Sequence, residues 1–195
     1  MDKYKIVALF GPAGSGKNYL QEKAMKTLFG KKWLHKIVPC TTRPPRENEI
    51  EGIDYHFIPS IENFNSYKWL ESACFRGWLY GTSYSHLTKL KINLGVFNLQ
   101  GLKTIIDNPE CEVLPIYIYT YDKLRLMRQL NREINPDCNE ICRRFQADQK
   151  DFSNLNFSYK IIENNTNETL PVITDLFDNI KEWSKQFNDN TSIFI

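Results

Sequence analysis

Gly11-Pro12-Ala13-Gly14-Ser15-Gly16-Lys17 decides the reading of this chain. It follows the apolar run Ile6-Val7-Ala8-Leu9-Phe10, whose pattern predicts a buried strand. It precedes Tyr19, Leu20, Ala24, Met25 and Leu28, whose spacing predicts one face of a helix. A strand, a glycine-rich turn and a lysine at a helix start form the setting in which such a turn cradles phosphate. The glycines let backbone N–H groups turn inward, the helix N-terminus adds partial positive charge, and Lys17 reaches the terminal phosphates of a nucleotide. A tight strand-to-helix connection with no ligand is the plainer alternative. The motif carries Ser or Thr after its lysine, and that hydroxyl ligates Mg²⁺. Here the residue is Asn18, whose amide oxygen is a weaker hard donor.

The 195 residues suit one α/β domain with a good core. A net charge of +2 argues against a dedicated nucleic-acid binder. Cys40, Cys74, Cys111, Cys138 and Cys142 are odd in number and lack paired C-x-x-C spacing. Cys138 and Cys142 share a helix face, but no nearby His or second Cys pair completes a metal site. They read as reduced thiols of a cytoplasmic protein. The first apolar run is too short for a secretory signal, and nothing approaches the roughly 20 apolar residues of a membrane span.

Downstream of a short strand near His35–Pro39 runs Cys40-Thr41-Thr42-Arg43-Pro44-Pro45-Arg46-Glu47-Asn48-Glu49. Two prolines block a regular helix or central strand. They leave a stiff loop with two arginines three residues apart, suited to a bidentate phosphate grip or, more plainly, to a solvated turn. Taken together, Thr41 to Arg46, Gly52, Asp54-Tyr55-His56-Phe57, Glu71, Gly77 and Tyr80-Gly81-Thr82-Ser83 resemble the acceptor-phosphate loop and base site of guanylate kinases. The likeness runs in order over about residues 4 to 165.

The resemblance implies a three-layer α/β P-loop fold, like that of nucleoside monophosphate kinases, with a mostly parallel sheet. It implies a single domain over 1–195: a core of 1–39, 86–124 and 152–195, an inserted acceptor-binding lobe at about 40–85, and a helical lid at about 125–151. Interleaved strands and helices support that class by themselves. The implied reaction moves a phosphoryl group from ATP, with Mg²⁺, to GMP or dGMP. ATP would be held by Gly11, Ala13, Gly14, Ser15, Gly16, Lys17, Asn18 and Asn164, with Asn18 the candidate metal ligand. Arg43, Arg46, Tyr55 and Tyr80 would hold the acceptor phosphate, while Glu71, Thr82 and Asn98 would face the base. A carboxylate accepts both N1–H and N2–H₂ of guanine, a donor pair that adenine lacks. Lys17, Arg43, Arg128, Arg132 and Arg144 would carry the catalysis, with Arg143 the alternate for Arg144.

Four positions depart from the family pattern. Asn18 replaces the hydroxyl, Pro39 stands where a serine helps to read guanine, and Val96 and Asn98 stand at the two aspartates of an Asp-x-Asp. They keep open a kinase for another or a modified nucleoside monophosphate. A catalytically weak module binding phosphorylated peptides is a further alternative, and the intact Gly11–Lys17 loop argues against it. A kinase acting on a base within DNA is opposed by the near-neutral charge. The chain is expected to be a monomer or homodimer, with no nucleic-acid or membrane partner.

The remaining pattern predicts a helix over 84–92 from Leu87, Leu90 and Ile92, a strand over Val113–Tyr119, and two helices over 121–151 broken at Asn135-Pro136. A last strand is predicted at Tyr159–Ile162. A final helix over about 168–187 follows, with Leu170, Ile173, Leu176, Phe177, Ile180, Trp183 and Phe187 as its apolar stripe. The tail Asn188–Ile195 ends in the apolar Ile193-Phe194-Ile195.

Overall fold

Strand β1 (Tyr4–Phe10) sits at the centre, and its sequence shows why. Ile6, Ala8 and Phe10 alternate with Val7 and Leu9, and all five are fully buried. Side chains of a strand point to opposite faces in turn, so a strand apolar at every position needs cover on both sides. A computed structural model of the chain, which describes residues 3–46, 49–75, 77–132, 134–166 and 168–186, shows that cover. Ile6, Ala8 and Phe10 pack with Leu102 and Ile105 of helix α4 (Leu99–Ile106). Val7 and Leu9 pack with Leu20 and Ala24 of α1 (Lys17–Lys26) and with Leu176 and Ile180 of α7 (Thr169–Lys185).

The main sheet has the order β2-β7-β1-β8-β9 and is parallel throughout, with β2 at Leu34–Lys36, β7 at Ile92–Val96, β8 at Cys111–Tyr119 and β9 at Lys160–Glu163. The connection after β1 runs toward β2 and the one after β8 runs the opposite way to β9, and the crevice at such a switch point is where open α/β sheets bind ligands. Between β2 and β7 the chain builds a second, four-stranded sheet of order β4-β3-β6-β5. Its strands are β3 (Cys40–Thr41), β4 (His56–Phe57), β5 (Trp69–Phe75) and β6 (Trp78–Ser83), with α3 (Ile61–Asn65) between β4 and β5. Cys40, Ile58 and Phe64 give this sheet its own small core. Helices α2 (Leu28–Trp33), α5 (Asp122–Leu130) and α6 (Cys138–Asp151) complete the described elements. No helix among the described residues is long and apolar enough to cross a membrane.

Three expectations change. Residues 84–92 form a single 3-10 turn at Tyr84–His86 and then the start of β7, and Leu90 is 95% exposed. Asn93 is the cause: its amide donates to Thr88 O and Lys5 O while its Oδ1 accepts from Thr88 N, tying the segment to β1. The first helix stops at Lys26, because Thr27 takes Ala24 O with its hydroxyl and caps α2 by accepting from Gly30 N. Leu28, beyond that stop, is exposed, and within α1 the buried face is Leu20, Gln21 and Ala24, which leaves Tyr19 exposed as well. Leu170 is exposed at the start of α7, while Ile173, Leu176, Ile180 and Trp183 are buried as the stripe predicts. Phe187 and Asn188–Ile195, like Glu47 and Asn48, lie outside the described residues.

Candidate active site

The loop after β1 folds as a nest because all three of its glycines, Gly11, Gly14 and Gly16, have positive φ in tight surroundings. Gly14 has φ 78°, and a Cβ there would lie 2.5 Å from the backbone oxygen of Arg125. Gly16 has φ 90°, and a Cβ would collide with the Asn164 amide nitrogen. Any L side chain is strained at such φ values, so glycine is required twice over. Gly16 is also the N-cap of α1 and offers no side-chain acceptor, and the first turn carries no acid. The free N–H groups of that turn are left for an anion.

Lys17 folds back over this loop. Its Nζ donates to Gly11 O at 2.7 Å and Pro12 O at 2.8 Å and lies 3.4 Å from Ser15 Oγ. Burial pushes its pKa down to about 8, with nearby Asp148 opposing that shift and Arg125 adding to it. Asn164 lies beneath the loop. It is 8% exposed and gives its amide to Ser15 O at 2.7 Å, while its backbone oxygen accepts from Thr120 Oγ1 and from Arg128 Nη2. The side-chain N–H of Asn164 thus buttresses the phosphate loop from beneath. Ser15 itself is fully buried.

In front of the loop opens a cavity of about 640 Å³. Ala13, Gly14, Gly16, Lys17 and Asn18 line one wall, Arg46 reaches in from the lobe, and Arg128, Arg132 and Arg144 come from the α5–α6 side. Arg128 is the telling member. Its Nη2 is used by Asn164 O, but Nη1 is buried with no hydrogen-bond partner among the described residues, and burial lowers its pKa. A buried guanidinium N–H without an acceptor is costly, and a phosphate oxygen supplies one. Arg144 donates to Glu140 at 2.7 Å, and Arg143 pairs with the same carboxylate. Of the two, Arg144 lines the cavity.

The lobe shows a second anion grip. Arg43 Nη2 forks onto both oxygens of Glu49 at 2.8 Å, and Arg46 N donates to Glu49 Oε2 at 2.9 Å. The Arg43 guanidinium lies 5.4 Å from the Tyr55 ring centre, and Tyr55 meets Tyr80 edge-on. Burial works to lower the Arg43 pKa, but Glu49 and Tyr80 outweigh it and hold it above its ordinary value. Arg43, Arg46, Tyr55 and Tyr80 therefore do converge. The carboxylate of Glu49 sits where Arg43 and the Arg46 amide would hold an anion.

Glu71 is placed by a register shift in β5 between Trp69 and Glu71, which brings it opposite Thr82. Bulges of this kind re-aim side chains beside functional sites. Burial raises the pKa of Glu71, and Thr82 hydrogen bonds work against that. The carboxylate faces Gly101, where a Cβ would lie 2.7 Å from Glu71 Oε2, so a side chain there would push the carboxylate aside. Asn98 is beside it, but its Oδ1 caps α4 by accepting from Gly101 N at 2.7 Å. The Asn98 oxygen thus serves the helix, which leaves its amide for any contact with a base.

Asn18 supplies a neutral oxygen at the cavity wall. Among the described residues no group of three His, Cys, Asp or Glu side chains is placed to hold a metal. This donor set fits an ion carried chiefly by phosphates and water. Sequence reasoning missed Glu49, Glu140, Arg125 and Asp148 as parts of the site. The i,i+4 spacing of Glu140 and Arg144 is a legible signal; the other contacts are set by the fold.

The family model described as guanylate kinase matches residues 3–180. A guanylate kinase of Wigglesworthia glossinidia brevipalpis is 32% identical over 179 residues, 87% of this chain and 85% of that protein. One from Campylobacter jejuni strain RM1221 is 30% identical over 168 residues, 80% of each. Among solved structures, guanylate kinase from Anaplasma phagocytophilum aligns with a TM-score of 0.61 at 21% identity, covering 97% of this chain and 89% of that one. The last likeness speaks to the fold.

Proposed function

The chain belongs to the guanylate kinase family, nucleoside monophosphate kinases that phosphorylate a guanine nucleoside monophosphate with ATP, and from that premise we propose which of its residues carry out the transfer. The carrying observation is one cavity in which Lys17, Arg46, Arg128, Arg132 and Arg144 meet although they are scattered over the chain, with Arg128 Nη1 lacking an acceptor among the described residues.

The phosphate loop and the α1 N-terminus hold the donor phosphates, and Lys17 leaves its backbone carbonyls to follow the terminal ones. Arg43, Arg46, Tyr55 and Tyr80 hold the acceptor phosphate of GMP or dGMP, with Glu49 displaced. Glu71 accepts from the guanine N–H pair, supported by Thr82. An acceptor oxygen forms the new bond to the γ-phosphorus. The bond from that phosphorus to the β–γ bridging oxygen breaks, and its electron pair leaves on ADP. The acceptor phosphate is already ionised near neutral pH, so no general base is needed. The task is to hold two polyanions in line against repulsion and to offset charge on the equatorial oxygens. Arg128, Arg132 and Arg144 do this from the lid, and closure excludes water. Asn18 would help to hold Mg²⁺ with the phosphates, and the ion would supply positive charge against theirs.

ADP release from ATP and Mg²⁺ with each common NMP and dNMP tests the assignment. Turnover restricted to GMP and dGMP is expected. Preference for another nucleotide overturns the base assignment, and no turnover with any of them overturns the catalytic one.

A further inference from the structure

Arg125 is a buried arginine that the transfer scheme does not use, at 2% exposed. Its Nε and Nη2 pair with Asp122 Oδ1 at 3.2 and 3.0 Å. Its Nη1 lies 3.3 Å from Asp148 Oδ2 and 3.5 Å from Ala13 O, and its guanidinium stacks 4.8 Å from the Phe145 ring centre. Asp148 Oδ2 in turn accepts from Ala13 N at 2.8 Å, across 135 residues of chain. The carboxylate thus ends on a backbone amide at the crest of the phosphate loop. A partly buried carboxylate is held in such a place only by charged partners and good hydrogen bonds.

Asp148 shares α6 with Glu140 and Arg144, at spacings of four residues, so the three stand on one helix face. One turn, about 6 Å of rise, separates Asp148 from the Arg144 that lines the cavity. We infer that Asp148, clamped by Arg125, is a positioning residue: it pins the crest of the phosphate loop to the helix that delivers Arg144, and so sets the donor phosphate and that arginine in one frame. The inference rests on the kinase reading for its consequence, but the pin itself acts on ATP binding.

The test uses the full chain with Asp148→Ala and Asp148→Asn. The asparagine keeps an acceptor of the same shape for the Ala13 amide, whereas alanine removes it. Calorimetry reads ATP and GMP binding separately, and ADP release reads transfer. Asp148→Ala is expected to lower kcat/KM for ATP on the order of 100-fold, the scale of a misplacement of about 1 Å. It should weaken ATP binding and leave GMP affinity within about twofold, while Asp148→Asn recovers most of the loss. ATP behaviour like wild type in Asp148→Ala overturns the inference. So does a loss of GMP affinity in step with ATP, which marks general damage to the fold. If Asp148→Ala does not fold, Asp148→Leu, which fills the space but offers no acceptor, decides: a several-fold loss confined to ATP supports the pin, and wild-type ATP affinity overturns it. Wild-type protein that binds ATP without phosphorylating GMP removes the transfer assignment, while calorimetry on the variants still reads the pin.

Discussion

The cavity at the phosphate loop and the inserted lobe both gather cations, yet they hold them differently. On the donor side Lys17 rests on Gly11 O and Pro12 O, and Arg128 rests on Asn164 O. On the acceptor side and the lid the partners are full carboxylates, Glu49 for Arg43 and Glu140 for Arg144. A cation on carbonyl dipoles keeps its net charge and draws an anion without losing an ion pair. A cation forked onto a carboxylate is neutralised, and an incoming phosphate must displace that carboxylate. Donor binding should therefore depend on charge already present, and acceptor binding on exchange of one anion for another.

The largest expected effect breaks the donor half. Lys17→Met should lower kcat by roughly 10²–10³, since Lys17 acts where charge develops; single-turnover rates check this, and a loss below tenfold would contradict the role. Next, Arg43→Lys should raise KM for GMP by about tenfold to a hundredfold with a smaller change in kcat, because a lysine cannot fork onto phosphate. Steady-state kinetics with GMP as the varied substrate reads the split, and an unchanged KM removes Arg43 from the acceptor grip.

A third, smaller effect sharpens the contrast through pH. Lys17 is pushed down to about 8 from 10.5, chiefly by burial. The ammonium is the form that meets phosphate, so kcat/KM for ATP should fall about tenfold per pH unit above 8. Folding stability has the opposite sign. Between about pH 8 and 10.5 the unfolded chain holds the proton that the folded one has lost, so this lysine's contribution to stability rises with pH across that window. Rate and denaturant midpoint measured over the same range should diverge, and parallel decline would contradict the assignment. The smallest effect concerns the metal. Asn18→Thr should reduce the Mg²⁺ needed for half-maximal rate by a few-fold, because a hydroxyl ligand replaces an amide oxygen. A superimposable Mg²⁺ titration would show that residue 18 does not touch the ion.

Local chemistry explains why so much of the site was legible. The glycines, Lys17 and the Arg43-Pro44-Pro45-Arg46 loop are each contained in a few residues, where backbone preference and side-chain type dictate the geometry. The same holds for β1, whose unbroken apolar run demands a central place. The errors came where distant groups overrode a local pattern. Leu87, Leu90 and Ile92 have helical spacing, but Asn93 binds the backbone at Thr88 and Lys5 and draws the segment into the sheet. Other contacts were simply out of local reach: Asn164 sits after a strand as expected, and its amide's partner, Ser15 O, is 149 residues away.

By itself, then, the sequence determined the kind of chemistry: a phosphate nest with its lysine, an arginine loop stiffened by prolines, and a buried strand to carry them. Only the tertiary structure decided how those parts are partnered. It placed Glu71 against Gly101, left Arg128 Nη1 without an acceptor, and set Asp148 on the Ala13 amide. The reason is physical. A motif specifies backbone shape over one or two turns of chain, whereas a buried charge takes whichever partner the packed elements bring within about 3 Å.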